Sequence, residues 1–254
     1  MRCRRPSPSE KTNWIPAARR MPARTEFGRS LLQPSQTDRR THDGAAQRSH
    51  RVEAEVSFTL TWMALSTWMF GYPEQAVKIS DAQEAHARWL GHPFNLSWSL
   101  TYGALLFEHV GEPEELLKRV EEGERVSREN SVQFVTEVLV RLQFGVALIR
   151  KGEFTAGVAS LKAGRTIWEK GGGRLGVHLK SALAEGMAQL GALDGALDLI
   201  GEIIAQIERP GWEERHYYAE TLRIKGWVIS LKGDLEGAER NYLASLDRAR
   251  QQTG

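Results

Sequence analysis

Five glycine turns recur along this chain at nearly equal spacing. They are GYPEQA at Gly71, GEPEEL at Gly111, GEFTAG at Gly152, GALDGA at Gly191 and the Gly233-Asp234 turn. Counted glycine to glycine, the intervals are 40, 41, 39 and 42 residues. A fixed period in that range is the signature of a solenoid. Each turn lies between two runs with helical spacing of apolar residues, and no run reads as a strand. The last unit, Tyr218 to Gln252, is the clearest. The sequence therefore predicts an all-α fold, an α-solenoid of about five antiparallel helix pairs.

The punctuation agrees with that prediction. Pro73 and Pro113 each stand two residues past a turn glycine, in the first turn of a second helix, where a missing N–H is harmless. Gly91, Gly171-Gly172-Gly173 and Pro210-Gly211 end second helices. Small residues recur in register. Ala64, Ala104, Gly145, Ala184 and Gly226 each precede a turn glycine by seven residues. Ala76, Gly157, Ala196 and Ala238 follow one by five, and Leu116 takes that place in the second unit. A small residue where two helices cross lets them approach closely. One hairpin leaves an apolar face bare, and stacking the next covers it.

These positions resemble the tetratricopeptide (TPR) pattern, with a period of about 40 in place of 34 residues. Leu116 departs from the pattern and weakens the second unit. A narrower resemblance covers about 55–252. It rests on GYPEQAVKIS…ARWLGHPFNLSWSL, RLGVHLKSALAEGMAQLGALDGAL and WEERHYYAETLRIKGWVISLKGDLEGAERNYLASLDRARQQ. These phrases resemble the C-terminal TPR region of bacterial multidomain regulators that join an adenylate/guanylate cyclase or a transcription-regulator module to an AAA-type ATPase. The resemblance implies a regulatory or partner-binding segment, with catalysis elsewhere. It also implies a further helix past ARQQ, so the chain is expected to be a C-terminal fragment or a stand-alone remnant, with its last hairpin prone to fraying.

Charge is divided unevenly. Residues 1–51 carry 12 Lys/Arg and 4 Asp/Glu, a net of +8, whereas 52–254 carry 22 and 28, a net of −6. An acidic body argues against nucleic-acid binding by the folded part. Residues 1–53 hold five prolines and no apolar periodicity, so a disordered basic segment is expected there, followed by a repeat domain over 54–252. Cys3 is the only cysteine, which excludes an internal disulfide and suits a reducing cytoplasm. The uncharged run Val56 to Pro73 is better explained as a buried helix than as a membrane span.

No motif for chemistry survives inspection. There is no GxxxxGK[ST] phosphate loop, no HExxH and no Gly-x-Ser-x-Gly elbow. Gly171-Gly172-Gly173-Arg174 follows a helix, so it reads as a loop. His86, His92, His109, His178 and His216 fall in different units. Glu121-Glu122, Glu124 and Glu213-Glu214 read as solvated charges. No enzyme, cofactor or metal is expected.

Function is thus expected in the groove lined by the first helix of each pair, with a protein or peptide as the occupant and a cyclase or AAA-type ATPase domain as a candidate partner. The groove residues are Phe58, Leu65, Trp68, Trp98, Leu105, His109, Leu142, Arg150, His178, Glu185, Glu220, Arg223 and Trp227. Its first three units are apolar and aromatic, its last two polar. The alternatives stay open: an accessible groove, a superhelix tight enough to bury these residues against one another, or a missing N-terminal partner domain that covers them.

Overall fold

The computed structural model describes residues 44–211 and 214–253. Of the basic segment expected over 1–53, residues 1–43 lie outside the described residues. The first hairpin pairs α1 (Gly44–Met69) with α2 (Pro73–Leu90). Helix α1 begins ten residues inside the segment that the sequence assigns to the basic head. In the second hairpin the first helix is split into α3 (Pro93–Gly103) and α4 (Leu105–Val110), followed by α5 (Pro113–Glu129). The third opens with a π-helical turn, Val135–Val140, and continues as α6 (Arg141–Arg150) and α7 (Phe154–Lys170). The fourth pairs α8 (Val177–Gln189) with α9 (Leu193–Glu208). A 3₁₀ turn, Glu214–Tyr217, leads into the fifth, α10 (Tyr218–Leu231) and α11 (Leu235–Thr253). Among the described residues there is no strand.

All five turn glycines adopt positive φ, between +81° and +86°. Space at each is open, so backbone conformation alone selects glycine there. Ser131 occupies the loop after α5 at φ +56°, among the described residues the one non-glycine in this region of backbone space. The left-handed conformation costs a residue with a Cβ about 1–2 kcal/mol.

The expected crossings are present and differ in closeness. In the third hairpin a Cβ on Gly157 would lie 2.8 Å from the Gly145 carbonyl oxygen, and one on Gly145 would lie 2.9 Å from that of Gly157. The two backbones touch. In the fifth, a Cβ on Gly226 would meet the Ala238 carbonyl at 3.1 Å. By the same register Leu116, fully buried, faces Ala104. It is there that the first helix of the second hairpin is interrupted. A leucine needs more room than two passing backbones leave.

The core runs continuously through the hairpins, from Ala64 and Ala76 through Val146 and Leu161 to Ile203 and Val228. Each new first helix packs on the second helix before it, and neighbouring first helices also touch, which places α1, α3, α6, α8 and α10 side by side. Buried polar groups are tied across the seams. Gln83 donates from Nε2 to the Ser57 carbonyl at 3.2 Å and to the Thr61 hydroxyl. Arg119 lies over the Phe107 ring at 4.3 Å and pairs with Asp81, Glu84 and Glu115.

Candidate functional site

The row of first helices brings most of the expected groove residues together, but not as an open groove. Leu65, Leu105 and Leu142 are buried in the core and offer no surface. Phe58, Trp68, Trp98 and Trp227 are half-buried. Trp98 forms the centre of an aromatic cluster, with Phe58 at 4.5 Å, Tyr102 stacked at 4.9 Å and Phe134 at 6.4 Å between ring centroids. Trp68 stacks on His109 at 4.5 Å and 15°. The apolar half is therefore packed against itself, as in the tight-superhelix alternative.

The tightness reaches across the molecule. The His109 ring, in the second hairpin, lies 6.2 Å from His178 in the fourth and 6.1 Å from Tyr217 at the entry to the fifth. His178 lies 6.5 Å from Tyr217. Burial keeps both imidazoles neutral: it lowers the pKa of His109 to about 4 and that of His178 to about 3, with smaller contributions from neighbouring cationic groups. The same burial pushes the Tyr217 hydroxyl far up, reinforced by Glu108.

Beside these rings runs a ladder of alternating charge. Arg150 donates from Nη2 to Glu108 at 2.9 Å and from Nη1 to Glu185 at 2.6 Å. Arg223 donates to the other oxygen of Glu185 at 3.1 Å and to Glu220 at 2.7 Å. Glu108, Arg150, Glu185, Arg223 and Glu220 thus join four successive hairpins. Burial weakens toward the fifth: the Glu108 side chain is 2% exposed, that of Arg223 47%. Burial raises the pKa of Glu108, and Arg150 offsets that only in part. For Arg150 burial opposes the charge, but Glu108 and Glu185 outweigh it and the pKa rises. Glu220, by its hydrogen bonds, raises that of Arg223.

A second polar network was not anticipated. Lys180 donates to Gln206 Oε1 at 2.9 Å, and Gln206 donates to Glu214 at 2.9 Å and to the Leu175 carbonyl at 3.3 Å. Glu214 also accepts from the Val177 N–H at 3.4 Å. It is a tie between the loops flanking α8 and α9 rather than the solvated charge the sequence predicts. Burial lowers the Lys180 pKa.

Among the described residues no three His, Cys, Asp or Glu side chains come together as a metal site. Nor is any helix among them long and apolar enough to cross a membrane.

Several solved structures share this arrangement of paired helices. BtubC (BKLC) from P. vanneervenii superposes with a TM-score of 0.52 at 13% identity, over 84% of this chain and 94% of that one. The fold is a TPR-like α-solenoid. A Podosopora anserina protein of kinesin-light-chain type with nearly identical TPR-like repeats gives a TM-score of 0.47 at 14% identity, over 79% and 95% of the two chains. A single-substitution variant of that protein gives 0.48 at 14%, over 80% and 98%. No family model and no curated protein matches the chain.

Proposed function

We propose that the chain is a non-catalytic helical-repeat scaffold that holds a protein or peptide partner on the exposed edge of its concave side, as the regulatory part of a signalling cyclase/ATPase system. The observation that carries the binding reading is the open end of the charge ladder. Arg223 and Arg150 reach solvent there, held by Glu185 and Glu220, beside the half-buried Trp227. Ordered arginines next to an indole are favourable anchors, because little side-chain freedom is left to lose on binding. The cyclase/ATPase assignment draws on the sequence phrases that resemble the repeat region of such regulators. A second reading, a ligand- or peptide-sensing module detached from such a regulator, draws support from the buried His109, His178 and Tyr217 cluster, where a binding event in one hairpin would be felt in another. Both place the partner on the concave side.

The test is capture by the full chain of the class III cyclase and the AAA-type ATPase encoded nearest its gene. Arg223→Ala with Trp227→Ala is expected to weaken capture by at least about tenfold, whereas Glu239→Gln on the exposed face of α11 leaves it unchanged. Equal capture by all three chains overturns the concave assignment, and absence of capture of either protein overturns the cyclase/ATPase assignment.

A further inference from the structure

The charge ladder is one cation short. It begins and ends on a carboxylate, so three carboxylates share two guanidiniums. At the solvent end this is of little consequence, because water supplies the rest of the Glu220 shell. At the inner end it is not. Glu108 is the least exposed member, Arg150 satisfies only its Oε1, and its Oε2 is buried without a hydrogen-bond partner. An unpartnered oxygen on a buried carboxylate destabilises the fold, because its lost hydration is not replaced by a hydrogen bond.

Glu108 shares its short helix with His109, one of a chain of aromatic rings that suit a cation. His109, the next residue, presents its ring with Trp68 stacked upon it. Tyr217 lies 6.1 Å from His109, and Glu108 is the first carboxylate acting on its hydroxyl. Aromatic faces beside a carboxylate attract ammonium and guanidinium groups, most strongly where water is excluded. His178, with its Nε2 also buried and unpartnered, adds a neutral acceptor in one tautomer. The folded body, at a net −6 over 52–254, draws basic ligands toward itself.

We propose that Glu108, with its unpartnered Oε2 and with Tyr217 and the Trp68–His109 stack on the same side of the fold, is the binding site for one cationic side chain, a lysine or arginine of the partner, which completes the alternation of the ladder. This rests on the concave reading above and narrows it: the partner presents a basic residue. Trp68 and His109 are only half-buried, so this side of the fold reaches solvent.

The probe is the capped tripeptide Ac-Gly-Arg-Gly-NH2, compared with Ac-Gly-Gln-Gly-NH2, both titrated to about 10 mM against the full chain by ligand-observed NMR and thermal shift, a range suited to one small side chain. The arginine peptide is expected to bind and raise Tm, and the glutamine peptide to do neither. Glu108→Gln, nearly isosteric, is expected to weaken the arginine peptide at least about tenfold, while Glu239→Gln, with the same change of charge, leaves it unaltered. The proposal is overturned by equal behaviour of the two peptides on the unaltered chain, by no binding of the arginine peptide, or by equal losses in the two variants. A partner captured through Arg223 and Trp227 that excess arginine peptide fails to displace overturns the cation site alone. Arginine peptide bound at Glu108 by a chain that captures no partner leaves the site standing and overturns the scaffold reading.

Discussion

The second and third hairpins solve the same crossing in opposite ways. In the third, Gly145 and Gly157 let two backbones touch, and α6 runs unbroken through the contact. In the second, Leu116 takes the small residue's place opposite Ala104, where the helix is irregular: Ala104 keeps helical angles (φ −58°, ψ −24°), but its carbonyl accepts from the Phe107 N–H only three residues on, at 2.9 Å. The short helix that follows, α4, carries Glu108 and His109. The hairpin with the poorer crossing is therefore the one that supplies the inner end of the ladder and the ring that reaches His178 and Tyr217. A local departure from the repeat has become the means of connecting distant units.

That comparison can be broken at the third hairpin most forcefully. Gly157→Leu gives it the second hairpin's residue, but the backbones leave no room and no break is present to relieve the clash. Destabilisation of more than about 3 kcal/mol in urea unfolding is expected. A loss below about 1 kcal/mol would mean that the third hairpin tolerates the second's solution.

The reverse exchange sharpens the same point. Leu116→Ala removes a fully buried side chain, which costs about 2–5 kcal/mol according to how far the site collapses. If the leucine causes the break, the loss falls at the low end, and the short helix α4 realigns with α3. The readout is the amide chemical shift and exchange of Ala104 and Leu105. A loss near 5 kcal/mol with an unchanged break would place its cause elsewhere.

The group that the second hairpin delivers makes the next prediction. In the folded chain His109 and His178 resist protonation down to about 4 and about 3, whereas unfolded histidine titrates near pH 6.5. Their depressed values mean that the unfolded state binds more protons below about pH 6.5. Stability is thus complete above it and falls as pH falls, by up to about 1.4 kcal/mol per unit for each ring. Glu108 acts oppositely: its raised pKa gives stability below the ordinary carboxylate range that is lost as pH rises through the folded value. Glu108→Gln removes that opposing slope, so urea midpoints are expected to fall more steeply with falling pH in this variant over the range in which buried Glu108 takes up its proton. An equal or shallower fall would show that burial does not raise the Glu108 pKa.

The smallest effect concerns the loop that joins the two hairpins. Ser131→Gly relieves the one non-glycine at positive φ among the described residues and is expected to stabilise the chain by up to about 1 kcal/mol. A destabilisation would mean that serine contributes a contact worth more than its backbone strain.

How much of this was legible in the sequence follows the same division. The turn glycines and crossing residues depend on contacts within one hairpin, so a fixed offset from Gly71, Gly111, Gly152, Gly191 or Gly233 located them. Leu116 was visible as an exception, though not the helix break opposite it. The concave side depends instead on the small rotation added at each hairpin, which no single unit encodes, and so Trp68, Trp98 and His109 appeared as groove anchors although they pack against their neighbours. Leu65, Leu105 and Leu142 share the groove register but turn into the core, because the stripe facing the groove and the stripe facing the second helix overlap on a narrow helix. One signal was present and unread. Arg150, Glu185 and Arg223 stand two, six and ten residues before their own turn glycines. A step of four is about one helical turn per hairpin, so the charges descend along a diagonal across the row of first helices.

That diagonal, with the meeting of His109 and Tyr217, changes how the molecule comes apart. In an open array each repeat depends on its immediate neighbours, and unfolding proceeds inward from the ends. Here the second hairpin is bound to the doorstep of the fifth, so dependence runs around a loop rather than along a line. Release of α10 exposes His109 as well as its own partners, and damage to α4 is felt three repeats away. The hairpins from the second to the fifth are therefore expected to open as one cooperative unit, to which the first is joined through Trp68 on His109, Phe58 on Trp98 and Asp81 on Arg119.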